Sequence, residues 1–150
     1  MAKLVDARDS KSRGSNIMSV RVRPSAPSSK EIAVLTANCI FCKIIQKQIP
    51  STCVLETEHT IVIKDLYPKA PVHYLLIPKF HIEHMGYLTA DTTPYLVDLG
   101  LCVAKLSKTL PENAGFNIIS NNGQAVGQSV LHLHWHFLSG KNLYESGLSL

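Results

Sequence analysis

Nine residues near the end of the chain, Val130-Leu131-His132-Leu133-His134-Trp135-His136-Phe137-Leu138, alternate imidazoles with large apolar side chains. On an extended strand successive side chains point to opposite faces. The three histidines therefore share one face, while Leu131, Leu133, Trp135 and Phe137 pack against a core on the other. Neighbouring imidazoles on such a strand lie about 6.5–7 Å apart, too far to converge on one small atom. They can divide labour instead. A neutral imidazole, with an ordinary pKa of about 6.5, is a competent nucleophile near neutral pH, and its neighbours can orient it or hold phosphate oxygens. Gly127-Gln128-Ser129, just upstream, adds backbone N–H groups, an amide and a hydroxyl, which suit an anion. Together these residues point to phosphorus chemistry; the alternative is a polar, solvated strand face.

Charge divides the chain in two. Residues 1–38 are basic and rich in Ser, Arg and Lys, whereas the remainder is formally neutral and holds every histidine. The basic balance therefore belongs to the first quarter and does not mark a nucleic-acid-binding face on the rest. Residues 1–38 show no sustained period and are expected to be a disordered segment. The run Val20 to Pro27 can be encoded by DNA resembling the end of a transfer RNA gene. The expectation is a reading frame opened too far upstream, with translation beginning near Val34 or Leu35. No apolar run reaches the length of a membrane span and no signal-peptide core is present, so a cytoplasmic location is expected.

From Cys39 the pattern is regular. Ile40, Phe41, Ile44 and Ile45 predict a short amphipathic helix before Pro50. Val54–Glu56, Thr60–Lys64 and Val72–Ile77 read as strands, the last two separated by the turn-rich Tyr67-Pro68-Lys69-Ala70-Pro71. Pro94 opens a longer helix carrying Leu96, Leu99, Val103, Leu106 and Leu110. Gly115–Ser120 and Val130–Leu138 close the domain as strands. The class is α+β, with a mainly antiparallel sheet. The pair Cys39 and Cys42 is ambiguous between redox, metal and accident, although a redox pair would be expected beside a βαβ pattern that is missing here. Cys53 and Cys102 read as core residues, His59 and His84 as surface residues, and His81 as structural.

The segment His132-Leu133-His134-Trp135-His136-Phe137-Leu138 resembles the histidine-triad (HIT) signature. Cys39 to Ile45, Asp65 to Pro71, Leu76-Ile77-Pro78-Lys79 with His81-Ile82, and Asn121 with Gly127-Gln128-Ser129 resemble the Hint branch, in its bacterial type with CxxC. The resemblance spans about Cys39 to Gly140, so residues 39–150 are read as one HIT domain. It implies a five-stranded antiparallel sheet with two helices, extended across a homodimer. It also implies hydrolysis of purine nucleoside 5′-phosphoramidates, derivatives of AMP or GMP, with His134 as nucleophile. His136, Ser129, Gln128, Gly127 and Asn121 would surround the phosphate or leaving group, with His132 completing the triad. Asp65 would hold the ribose, and Ile40, Phe41, Ile63 and Leu66 would wall the base. Structural zinc is implied on Cys39, Cys42, His73 and His132, with no organic cofactor.

One residue departs from the family pattern: Lys64 stands where several Hint proteins carry a histidine, which leaves base preference open. Two alternatives remain, a dinucleoside polyphosphate hydrolase and a nucleotide-sensing module with vestigial catalysis. A galactose-1-phosphate uridylyltransferase type is disfavoured because a glutamine stands there in place of His136.

Overall fold

Most segments with a helical or alternating apolar period become matching elements in the computed structural model, which describes residues 36–147. The expectations for a disordered start and an upstream reading frame fall mainly on residues outside that range. Residues 36–38 form a single helical turn, closed by the Cys39 N–H on the Thr36 carbonyl at 3.3 Å. Helix α1 (Ile40–Ile45) turns Phe41, Cys42 and Ile44 inward. Strands β1 (Cys53–Glu56), β2 (Thr60–Lys64) and β3 (Val72–Pro78) follow, then helix α2 (Thr93–Ser107), β4 (Phe116–Ile119) and β5 (Trp135–Ser139). The five strands form one sheet in the order β1-β2-β3-β5-β4, antiparallel throughout.

Period-two alternation sorts the sheet into two faces. Ile61, Ile63, Leu75 and Ile77 meet Phe41, Cys42 and Ile44 of α1. Val62, Leu76, Leu133 and Phe137 meet Leu99, Cys102 and Leu106 of α2. The Thr57 hydroxyl also bonds the Asp98 carboxylate, tying the β1–β2 turn to α2. Pro94 lies in the first turn of α2, where its missing N–H costs nothing. No helix among the described residues is long and apolar enough to cross a membrane.

The alternating segment is shorter as a strand than its pattern suggested. Ladder pairing begins at Trp135, and residues 130–134 are irregular. A tight backbone bond from His132 N–H to the Val130 carbonyl, 2.8 Å, bends the chain there. The segregation of faces nevertheless holds: Leu133, Trp135 and Phe137 pack on the α2 side, while His132 and His134 contact Phe41 of α1. Cys53 is exposed on the outer strand β1 rather than in the core, and Cys102 is buried. Beyond β5 the chain turns at Gly140, where φ is +84° and an added Cβ would lie 3.1 Å from Pro71.

Candidate active site and metal centre

Register places the first functional pair. Leu75 of β3 pairs with His136 of β5, and His73 with Leu138, so His73 and His136 are diagonal neighbours on the α1 face. Their facing nitrogens, His73 Nε2 and His136 Nδ1, are 2.9 Å apart. The proton between them can be assigned. The turn before β3 folds back so that Lys69 N–H donates to His73 Nδ1 at 3.1 Å. Nδ1 is therefore the acceptor, neutral His73 carries its proton on Nε2, and that N–H donates to His136 Nδ1. His136 in turn keeps its own proton on Nε2. Asp65 extends the β2–β3 ladder through its N–H to the His73 carbonyl, 3.1 Å. Its Oδ2 lies 3.5 Å from His73 Nε2, and its Oδ1 accepts from Tyr67 N–H at 2.7 Å. Burial, followed by the neighbouring His134 and His73, pushes His136 down to about 4. Burial likewise lowers His73, so the pair is neutral at pH 7.

His134 has the opposite tautomer. Its Nδ1 lies 2.8 Å from the carbonyl of His132, which can only accept, so Nδ1 carries the proton and Nε2 keeps a lone pair. Burial outweighs the hydrogen bond to His132 and lowers this imidazole also. The ring is only 4% exposed. It packs edge-on to Phe41 at 5.1 Å and to His136 at 5.0 Å, between centroids. It therefore lies directly beside His136, which lines the adjoining cleft.

That cleft has a volume of about 510 Å³, and Asp65, His73, Asn121, Ser129 and His136 line it. Lys69, Lys141 and the C-terminal Leu143 and Ser146 complete its rim. Two expected anion contacts are absent. Gly127 N–H closes a short turn on the Gln124 carbonyl at 3.0 Å, and its φ of +90° marks a conformational role. Gln128 points inward, with both ends of its amide bonded to backbone groups. Loop closure has therefore taken up these donors, and the loop's polar contribution to the cleft comes from Asn121 and Ser129.

The second centre is a cluster in which the sequence expectation is corrected. Cys39, Cys42, His132 and His81 bring their ligand atoms within 4.8 Å of one another, and His73 is not among them. His132 Nε2 donates to the Pro78 carbonyl at 2.9 Å, so its Nδ1 offers a lone pair at the C-terminal end of β3. His73 lies five residues earlier, about 16 Å along the strand, and serves His136 instead. His81, just past that end, replaces it. Donor separations are 3.4 Å for Cys39 Sγ to His132 Nδ1, 3.3 Å for Cys42 Sγ to His81 Nδ1, and 3.5 Å for Cys42 Sγ to His132 Nδ1. The two imidazole Nδ1 atoms are 3.2 Å apart. A tetrahedral zinc site with ordinary Zn–S and Zn–N bonds has edges of about 3.3–3.8 Å. The donor set and its spacing fit that ion. Burial alone would raise the Cys39 thiol, but the side-chain contacts with His132 and His81 and the hydrogen bond with the Cys42 backbone bring it down to about 5. Burial and the adjacent Cys39 push Cys42 up to about 12. A cation among the four donors would remove that conflict by stabilising both thiolates.

The remaining expected site residues are spread out. Phe41 and Ile63 are buried in the α1 core, Ile40 is 45% exposed, and Leu66 is 86% exposed on the turn after β2. Lys64 is exposed at the end of β2. Of the two histidines expected at the surface, His59 packs against Tyr95 with the rings tilted by 56°, and His84 caps a short turn through Gly86 N–H.

The family model described as "Scavenger mRNA decapping enzyme C-term binding" matches residues 38–147. Protein HitA of Neisseria gonorrhoeae is 40% identical over 101 residues, covering 67% of this chain and 94% of that protein. Adenosine 5′-monophosphoramidase HNT1 of Candida albicans is 40% identical over 113 residues, 71% of this chain and 72% of that one. Among solved structures, a HIT family hydrolase from Clostridium thermocellum superposes with a TM-score of 0.67 at 42% identity, covering 71% of this chain and 93% of that one.

Proposed function

Since the chain belongs to the histidine-triad (HIT) family, we propose that it is a cytoplasmic hydrolase of purine nucleoside 5′-phosphoramidates that works through a nucleotidyl-histidine intermediate. The observation that carries this reading is the pair of opposite tautomers in the site. His134 is held by the His132 carbonyl with its Nε2 lone pair unprotonated, and His136 is held by His73 with its Nε2 protonated. One is a nucleophile and the other an acid. The similarity to an adenosine 5′-monophosphoramidase supports the substrate class.

His134 Nε2 attacks the α-phosphorus and forms a P–N bond as the bond to the substrate amine breaks. His136 Nε2–H gives its proton to the departing nitrogen, His73 Nε2–H replaces it at His136 Nδ1, and a solvent proton drawn in by the Asp65 carboxylate replaces that of His73, so both imidazoles stay neutral. Water then attacks the intermediate while the relay runs backwards, restoring free His134. Splitting one displacement into two is the gain of covalent catalysis. Ser129 and Asn121 hold the phosphate oxygens, Asp65 the ribose, and Ile40, Phe41, Ile63 and Leu66 the base. Cys39, Cys42, His81 and His132 would hold zinc, which would supply a cross-link between α1 and the sheet. The protein acts as a homodimer joined through β4, whose edge presents the exposed Phe116 and Ile118.

Turnover is the test. A panel of adenosine and guanosine phosphoramidates beside dinucleoside polyphosphates should show amine release from the former as the dominant reaction. His134→Ala should lower that rate by several orders of magnitude and leave AMP binding measurable. Equal release by wild type and variant would reject the enzyme reading. Metal analysis of the purified protein should find one zinc per chain.

A further inference from the structure

Gln128 is 2% exposed, and the mechanism above gives it no contact with substrate. Its Oε1 accepts from Gly123 N–H at 2.7 Å, and its Nε2 donates to the carbonyls of Glu83 at 2.7 Å and Val130 at 3.1 Å. One buried amide thus joins three stretches of chain: the glycine that opens the cleft loop, the residue two after His81, and the residue two before His132. The last two positions flank metal ligands. The same stretches are bonded twice more, by Leu133 N–H to the Ile82 carbonyl at 2.5 Å and by Met85 N–H to Asn122 Oδ1 at 2.9 Å. Gly123 also accepts from the backbone N–H of Gln128 at 3.2 Å, so glycine and glutamine hold each other at both ends of the loop. Packing alone does not call for an amide here, since a methionine fills a similar volume. An amide whose two ends are both matched in a buried site fixes three backbone groups at once, and its loss leaves each of them unpaired.

We infer that Gln128 is a positioning residue that couples metal occupancy at Cys39, Cys42, His81 and His132 to the shape of residues 121–129, and hence to phosphate binding at Asn121 and Ser129. The inference rests on reading the cleft as a nucleotide site. Metal binding holds His81 and His132, Glu83 and Val130 follow within two residues, and Gln128 carries their position to Gly123. Ser129 is the next residue in the chain. Such a coupling is reciprocal, so nucleotide must tighten the metal by the same factor that metal tightens nucleotide.

Zinc-loaded and chelator-stripped wild type are compared with Gln128→Met for AMP affinity by calorimetry and for amide hydrogen exchange across residues 121–129. Stripping zinc should weaken AMP binding to wild type by about tenfold and speed exchange in that loop. Zinc-loaded Gln128→Met should already bind AMP weakly, with normal zinc content, and respond less than about twofold to stripping. A variant that keeps the wild-type response overturns the role of Gln128, as does a wild type indifferent to zinc. Should Gln128→Met fail to fold, two measurements still decide. Saturating AMP should slow zinc transfer from wild type to a chelator by about tenfold, and Asn122→Ala, which removes the exposed bonds to Met85 and Ser120, should reduce that protection. An unchanged transfer rate overturns the coupling. Failure of zinc-loaded wild type to bind AMP at all would overturn the nucleotide reading and the coupling with it, whereas zinc-independent AMP binding would overturn the coupling alone.

Discussion

His136 and His134 have the same side chain and differ in which nitrogen keeps its proton, a choice made by one backbone amide and one carbonyl. Lys69 N–H fixes the tautomer of His73 and, through it, that of His136. His136→Gln therefore should lower turnover of an amine substrate by about 10²–10⁴-fold, the usual worth of a placed acid. With an aryloxide leaving group that needs no proton, the loss should shrink; equal losses with both substrates would refute the acid role. The low value of His136 also has a pH consequence. Its folded value of about 4 lies below the ordinary 6.5, because of burial first and then His134 and His73, with Asp65 opposing. Between these values the unfolded chain binds the extra proton, so stability rises with pH across the window and is lost as pH falls from 6.5 towards 4. Burial displaces His73 and His134 in the same direction. Urea midpoints measured at pH 7 and near pH 4.5 should differ less in His136→Gln than in wild type.

Among the elements, legibility followed local pattern. The apolar run Thr60–Lys64 reads as a strand with the bounds it has in the structure, because every residue of it but Lys64 is buried and nothing local competes. Leu99, Cys102 and Leu106 are legible as the inner stripe of α2 for the same reason. Leu99 is fully buried against the sheet, and Leu99→Ala should cost about 2–5 kcal/mol by chemical denaturation. A loss below 1 kcal/mol would mean that α2 is not held there. Alternation misled at Val130–Leu138, since side-chain period says nothing about whether a partner strand is in reach. Only the residues from Trp135 onward pair with β3. The ligand exchange between His73 and His81 was hidden for a related reason. His73 lies near the start of β3 and His81 just past its end, and their roles depend on where His132 bends off the sheet, a contact ninety or so residues from Cys39 in sequence. Gln128 and Gly127 read as anion donors because their groups are polar, while their hydrogen bonds to the loop itself cannot be seen in the sequence.

At the scale of the whole molecule, β4 leaves the sheet with an open edge whose Phe116 and Ile118 are more than a third exposed, and α2 presents Val97 and Leu101 one turn apart. Exposed apolar side chains beside an unpaired strand edge are what a two-fold partner covers. Sedimentation should give twice the chain mass of 16.5 kDa, and Ile118→Lys should shift the protein towards monomer; a wild-type monomer at micromolar concentration would dismiss the dimer. The late start of β5 has a different kind of consequence, in how the chain tolerates insertions. One residue added between His134 and His136 enters the ladder, and everything beyond it changes face, carrying Phe137 out of the core. One residue added between His132 and His134 falls before the ladder, so β5 keeps its register and the damage falls on the buried Leu133, on the His132 carbonyl that holds His134, and on ion coordination. Three evenly spaced histidines are therefore tied together in two different ways: the last two by strand register, the first two by one hydrogen bond and one buried leucine.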